Sequence, residues 1–125
     1  VPVVGFQTQF FPAFYTAKTK YRLPASVRNT DELVNLLKTY WALDIPGSML
    51  IANPIPQDDE LPAEEIEPVI AEALTLAEKQ SVRGKAITPF LLKEIAQATE
   101  GRSLTANLKL IENNVRLGAG IACRL

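Results

Sequence analysis

The chain has 125 residues, enough for one domain that buries roughly two thirds of the surface its unfolded form exposes. Its 13 Lys and Arg residues nearly balance 14 Asp and Glu, which argues against a nucleic-acid surface, and no apolar run reaches the roughly 20 residues needed to cross a bilayer. With no histidine and a single cysteine, Cys123, it can build neither a Ser-His or Cys-His nucleophile, nor a histidine zinc site, nor an internal disulfide.

A chain from a reducing compartment is therefore expected. Val1 is not an initiator methionine and no signal-peptide pattern follows it, so the sequence reads as a piece of something longer. Val1 to Val4 is short, apolar and β-branched, with Gly5 as a breaker behind it; this predicts a buried strand of a parallel sheet that ends in a turn. The loop from Phe6 to Thr16 gathers Phe6, Phe10, Phe11, Phe14 and Tyr15 around Pro12. Side chains so dense in aromatics are either packed beneath the loop or line a pocket. Lys18, Lys20 and Arg22 follow, either as a solvated surface or as partners for a phosphate.

Thr30, Asp31 and Glu32 open a helix, since acidic side chains favour the positive end of the helix dipole. Leu33, Leu36, Leu37, Tyr40 and Trp41 keep helical spacing to Leu43, and Pro46-Gly47 turns the chain into a second buried strand, Met49 to Ala52. Strand, helix, strand implies a crossover and parallel pairing, with Gly5 and Asn53 at one edge of one sheet. Ligands bind beyond the carboxyl ends of such strands, so the aromatic loop and the stiff Asn53-Pro54-Ile55-Pro56 segment belong to the functional edge. The acidic run Asp58, Asp59, Glu60, Glu64, Glu65 and Glu67 lacks calcium-loop spacing and reads as the charged entry to a helix. That helix carries Ile66, Val69, Ile70, Ala73, Leu74 and Ala77, and Pro68 favours a start late enough to place it in the first turn. Arg83-Gly84-Lys85 lacks the glycine pattern of a phosphate loop and reads as a plain turn.

Two helices in tandem follow. Thr88 is expected as the N-cap of the first, with Pro89 at the first helical position, and Phe90, Leu91, Ile95 and Ala98 on its apolar face. Gly101 is expected to end it in a left-handed conformation, and Ser103 to cap the next. From there Leu104, Leu108, Ile111, Val115 and Ala119 step by three or four, a stripe expected to face a core. Asn107 and Asn114, seven apart beside that stripe, either tie the helix to a loop or contact a ligand.

Five blocks, in order, carry a resemblance: Val1 to Gly5, Phe11 to Thr16, Asn53 to Pro56, Gly84 to Leu92, and Ser103 to Asn107 with Asn113-Asn114. They resemble the carboxyl-terminal part of the pseudouridine-5′-phosphate glycosidases, the indigoidine synthase A-like family, over nearly the whole chain, residues 1–125. The loop departs from the family at Gln9 and Phe10, where polar or acidic residues are expected. The resemblance implies an α/β fold, a partial α/β/α layer with short parallel strands and C-terminal helices. It also implies a cytoplasmic, homo-oligomeric, trimeric enzyme that reversibly cleaves the carbon–carbon glycosidic bond of pseudouridine 5′-phosphate to uracil and ribose 5-phosphate. The family's lysine nucleophile, glutamate proton donor and manganese-binding aspartate lie upstream of Val1 in its pattern. No catalytic or metal-binding residue is therefore expected here, and Lys18, Lys20 and Lys85 do not fill the role. Asn107 is carried over as a substrate contact, with Thr88 beside it. Neither nucleic acid nor membrane is an expected partner. A non-catalytic binding or oligomerisation module of the same fold is the alternative, and a small α/β enzyme of another kind is a third reading. The ending Cys123-Arg124-Leu125 resembles the small, basic, leucine signal of peroxisomal import, which has meaning only at a true eukaryotic terminus.

Overall fold

The computed structural model describes every residue from Val1 to Leu125. Three parallel strands, β1 (Val3–Phe6), β2 (Ala25–Val27) and β3 (Leu50–Ala52), lie in the order β2-β1-β3. Four helices accompany them: α1 (Thr30–Ala42) between β2 and β3, then α2 (Ala63–Lys79), α3 (Ile87–Ala98) and α4 (Arg102–Ala122) after β3. The class is α/β, as expected. In the β1–β3 register Val4 faces Ile51 and Gly5 faces Ala52, so Gly5 and Asn53 do come to one edge of one parallel sheet.

Strand β2 has no apolar run to announce it: Pro24 precedes it and Ser26 sits in its middle. It forms because the aromatic loop carries the chain far enough to return parallel to β1, pairing Gly5 with Ser26 and Phe6 with Val27. The helix α1 therefore crosses from β2 to β3, on either side of β1, rather than linking β1 directly to its next neighbour. The loop is held by its own bonds: Thr8 Oγ1 donates to Phe10 O, and Phe10 bridges Arg22 in antiparallel sense. Gly5 is required where the loop folds back. A Cβ there would lie 2.1 Å from Thr8 O and 2.8 Å from Leu23 Cδ1.

Helix ends account for the shifted boundaries. Asn29, one residue before Thr30, caps α1 by accepting the Glu32 N–H, while the Glu32 carboxylate accepts the Arg28 N–H. Helix α2 begins at Ala63, so Pro68 lies inside it and the later start is not taken. The earlier turn puts Ile66 in line with the buried Ala73 and Ala77, and that burial offsets the one backbone bond Pro68 cannot make. Thr88 does not cap α3. A short 3₁₀ turn, Gly84–Ala86, leads in, α3 starts at Ile87, and Thr88 lies exposed in its first turn; Pro89 costs nothing there, because the first N–H groups have no intrahelical acceptor.

Between α3 and α4, Glu100 takes the left-handed C′ position and Gly101, also at positive φ, donates its N–H to Ala96 O. Gly101 is then the N-cap of α4, and Ser103 falls within the first turn as a buried residue instead of capping it. The buried Thr99 hydroxyl donates to Ile95 O and accepts the Ser103 N–H, so one side chain serves both helix ends.

Two apolar clusters result. One joins Tyr15, Ile55, Leu61, Ile66, Ala73, Ile95, Ala106 and Leu110, drawn from the loops and from α2, α3 and α4. The other joins Val4 and Val27 of the sheet to Leu33 and Leu37 of α1, with Leu117 and Ile121 of α4 against it. The α4 residues in these clusters are Ala106, Leu110, Leu117 and Ile121. The stripe Leu104, Leu108, Ile111, Val115 and Ala119 faces water instead of a core, because the α3 and α1 contacts claim the opposite side of the helix. Ion pairs fasten both ends of α4: Arg102 to Glu65 of α2 at 2.9 Å and Arg124 to Asp31 of α1 at 3.1 Å.

Candidate functional site at the strand ends

Where β1 and β3 end, Phe6, Gln7 and Thr8 face Asn53 and Pro54 across a cleft of about 390 Å³, closed on one side by Lys18 and on another by Asn113 of α4. Backbone geometry places these groups. Gln7 leaves β1 at a positive φ of 55°, and its side-chain amide donates to Arg28 O at 3.1 Å, which pins it beside β2. Two prolines in Asn53-Pro54-Ile55-Pro56 keep the opposite wall extended, and Ile55 is buried beneath it.

Asn113 and Asn114 hold α4 to that wall. Asn113 Nδ2 donates to Pro54 O at 3.1 Å and Asn53 Nδ2 donates to Asn114 Oδ1 at 2.9 Å. The loop-tying role that the sequence offers to Asn107 and Asn114 thus belongs to Asn114 and its neighbour Asn113.

Beyond Asn53 the edge continues as an apolar groove of about 580 Å³ between β3 and α4, roofed by Phe11 and Phe14. Leu110, Asn114, Leu117 and Ile121 form its α4 wall. The aromatic loop therefore divides: Tyr15 is buried in the helical cluster, whereas Phe11 and Phe14 stay about half exposed along the groove. Burial pushes the Tyr15 phenol above its ordinary value, and the Ser103 hydroxyl beside it offsets part of that rise. Ser103 Oγ meets no partner in hydrogen-bond geometry.

Asn107 is half-buried and lines neither groove, but it lies three residues before Leu110 and seven before Asn114, on the extension of the same helix stripe. Its amide makes no hydrogen bond within the chain, in contrast with Asn53 and Asn113. Thr88 stands exposed at the start of α3, and nothing brings it to Asn107 or to the cleft. Gln7 and Thr8 carry no motif of their own; the signal that marks them is their place directly after a parallel strand.

The loop cations lie over aromatic faces. Lys18 Nζ is 5.8 Å and Arg22 Cζ 5.5 Å from the Phe10 ring centre, and Lys20 Nζ is 5.5 Å from that of Tyr21. Glu112 sits below the usual carboxylate range because Lys109 donates to it and Arg116 adds its charge, an exposed network on the outside of α4. Arg28 does the same for Glu32, first through its backbone N–H. No three His, Cys, Asp or Glu side chains of this chain come together closely enough to hold a metal ion.

A parallel α/β domain whose strands end on a polar cleft and an apolar groove is the class these features define. Residues 1–124 match the model of the indigoidine synthase A-like proteins, and the chain belongs to that family. It is 47% identical over 125 residues to a pseudouridine-5′-phosphate glycosidase of Caldanaerobacter subterraneus, covering all of this chain and 41% of that protein. The glycosidase of Alkaliphilus metalliredigens is 44% identical over the same span, again covering 41% of the relative. Among solved structures, an indigoidine synthase A-like protein from Thermotoga maritima superposes with a TM-score of 0.84 at 36% identity, over 98% of this chain and 40% of the other. The prealnumycin C-glycosynthase AlnA, solved with ribulose 5-phosphate, gives 0.78 at 25% identity, over 97% and 39%. The chain thus spans about two fifths of the relatives it matches, and corresponds to their carboxyl-terminal part. No helix is long and apolar enough to cross a membrane.

Proposed function

We propose that this chain forms the carboxyl-terminal wall of a pseudouridine-5′-phosphate glycosidase, which reversibly cleaves the carbon–carbon glycosidic bond to give uracil and ribose 5-phosphate. The observation that carries the reading is the family match over residues 1–124, together with strand ends that open on a cleft. Within it, Asn107 touches substrate: an amide offers both a donor and an acceptor, and this one is uncommitted inside the chain. Thr88 is a second contact only if other parts of the protein bring substrate to the start of α3.

The bond-breaking groups are not assigned to these residues. Lys18 rests on Phe10 beside the cleft, Lys20 rests on Tyr21, and Lys85 sits in an exposed turn, so none has the desolvated setting that activates a lysine nucleophile. Manganese belongs to the whole protein in this reading and to no side chain here. A cytoplasmic homo-oligomer, a trimer, completes the proposal, with no nucleic-acid or membrane partner. This reading assigns no role to the ending Cys123-Arg124-Leu125.

The test joins this chain to the amino-terminal three fifths of the Caldanaerobacter relative and follows pseudouridine 5′-phosphate formed from uracil, ribose 5-phosphate and manganese. The hybrid is expected to turn over and the chain alone to be inert, since removing a nucleophile costs several orders of magnitude in rate. Asn107→Ala in the hybrid should lower turnover by about tenfold or more with its melting temperature kept. Turnover by the chain alone, or an Asn107→Ala hybrid with full activity, contradicts the assignment.

A further inference from the structure

Helix α4 shows two apolar sides, and only one is used. Ala106 and Leu110 are buried, whereas Leu104, Leu108, Ile111 and Val115 stand 55%, 59%, 50% and 65% exposed. Their spacing of four, three and four makes one seam along the helix, and the charged trio Lys109, Glu112 and Arg116 borders it on one flank only. Around the other flank the apolar surface runs on into the groove beside β3, whose outer edge has no strand partner. Asn107 lies on the border between them, next to Leu108 and one turn from Leu104, Leu110 and Ile111.

We propose that this continuous face, the outer seam of α4 with the groove beside β3, is the seat of the complementary amino-terminal three fifths of the family domain, which on docking encloses Asn107. Length commits the face to that occupant. The same fold appears at a TM-score of 0.84 inside a Thermotoga maritima chain of which it makes up 40%, so the remaining polypeptide has to pack somewhere on it. A wrapped face that adds an unpaired strand edge to a helix seam suits a segment that supplies both a strand and apolar cover. The inference rests on family membership and not on the reaction.

The experiment co-expresses this chain with the tagged amino-terminal three fifths of the Caldanaerobacter glycosidase and measures the complex by sedimentation velocity. A one-to-one complex is expected. The pair Leu108→Asp and Ile111→Asp should weaken it at least about tenfold, while Leu74→Asp, at an exposed apolar position on α2, leaves it unchanged. Both changed side chains already face water, so the variant is expected to keep its circular dichroism; Val115→Glu on the same seam tests the face independently. Absence of a complex overturns the proposal, as does a complex indifferent to both seam variants, or self-association through Leu108 that the added polypeptide fails to displace. The readout is assembly, so a complex that forms yet leaves pseudouridine 5′-phosphate untouched refutes the reaction and leaves the docking in place.

Discussion

Around Ile66 and Ile95, eight buried side chains from three helices and two loops close on one another, whereas the sheet gathers only Val4, Val27, Leu33 and Leu37 on one of its faces. Both regions come from the same short chain, and both use α4 as a wall. They differ in what surrounds them. The helical cluster has α2, α3 and α4 on three sides and Tyr15 from the aromatic loop as a plug, and Leu61 donates its N–H to Tyr15 O to lock that plug in place. The sheet has three short strands with both outer edges free, and beside β3 an open groove in place of a fourth strand. A hydrophobic cluster stabilises in proportion to the area it removes from water, so the helical region is the part of this chain that holds itself together. The strand region, which carries the cleft, is the part shaped to receive something else.

That difference has a measurable size. Ile66→Ala removes a side chain that is 2% exposed and should lower the free energy of unfolding by about 2 to 5 kcal/mol. Ile51→Ala, on the half-buried edge strand, should cost less than about 2 kcal/mol, because part of its surface is wet already. Urea unfolding of the two variants gives both numbers, and equal losses would break the contrast.

A gentler probe uses Tyr15. Burial raises its phenol above the ordinary value of 10.0, so in alkali the folded chain keeps a proton that the unfolded chain has released. Its contribution is fully present below the unfolded pKa, and stability should fall as pH rises past about 10 toward the folded value. Tyr15→Phe should flatten that fall, and a slope unchanged by the substitution would show that the plug is not held as described.

Much of this architecture is legible in the residues. The apolar runs Val1 to Val4 and Met49 to Ala52 announce two parallel strands, and Gly5 and Asn53 reach the predicted edge, although β1 runs on through Gly5 to Phe6 and Leu50 of β3 is exposed rather than buried. Strand β2 is invisible because Ala25-Ser26-Val27 carries no pattern; its pairing depends on the loop's own tertiary bonds. Thr88 and Ser103 look like caps, yet a 3₁₀ turn and the Glu100-Gly101 pair start those helices earlier, since any arrangement that satisfies the terminal N–H groups will serve. The seam from Leu104 to Val115 shows the limit of periodicity most plainly. Helical spacing reports an apolar face and cannot say whether its cover lies within the chain or outside it. At the site, the amides were visible but not their roles: Asn113 and Asn114 differ from Asn107 only in having Pro54 and Asn53 within reach.

Native-state hydrogen exchange, read amide by amide with and without the amino-terminal three fifths of the Caldanaerobacter relative, tests the contrast most directly. In the chain alone, amides around Ile66, Ile95 and Leu110 should exchange only through global unfolding, while those of Leu50 to Ala52 exchange through cheaper local opening. Adding the complementary part should slow the β3 amides toward the helical ones. Equal protection of Leu50 to Ala52 and Ile95 in the chain alone, unchanged by the addition, would contradict the account.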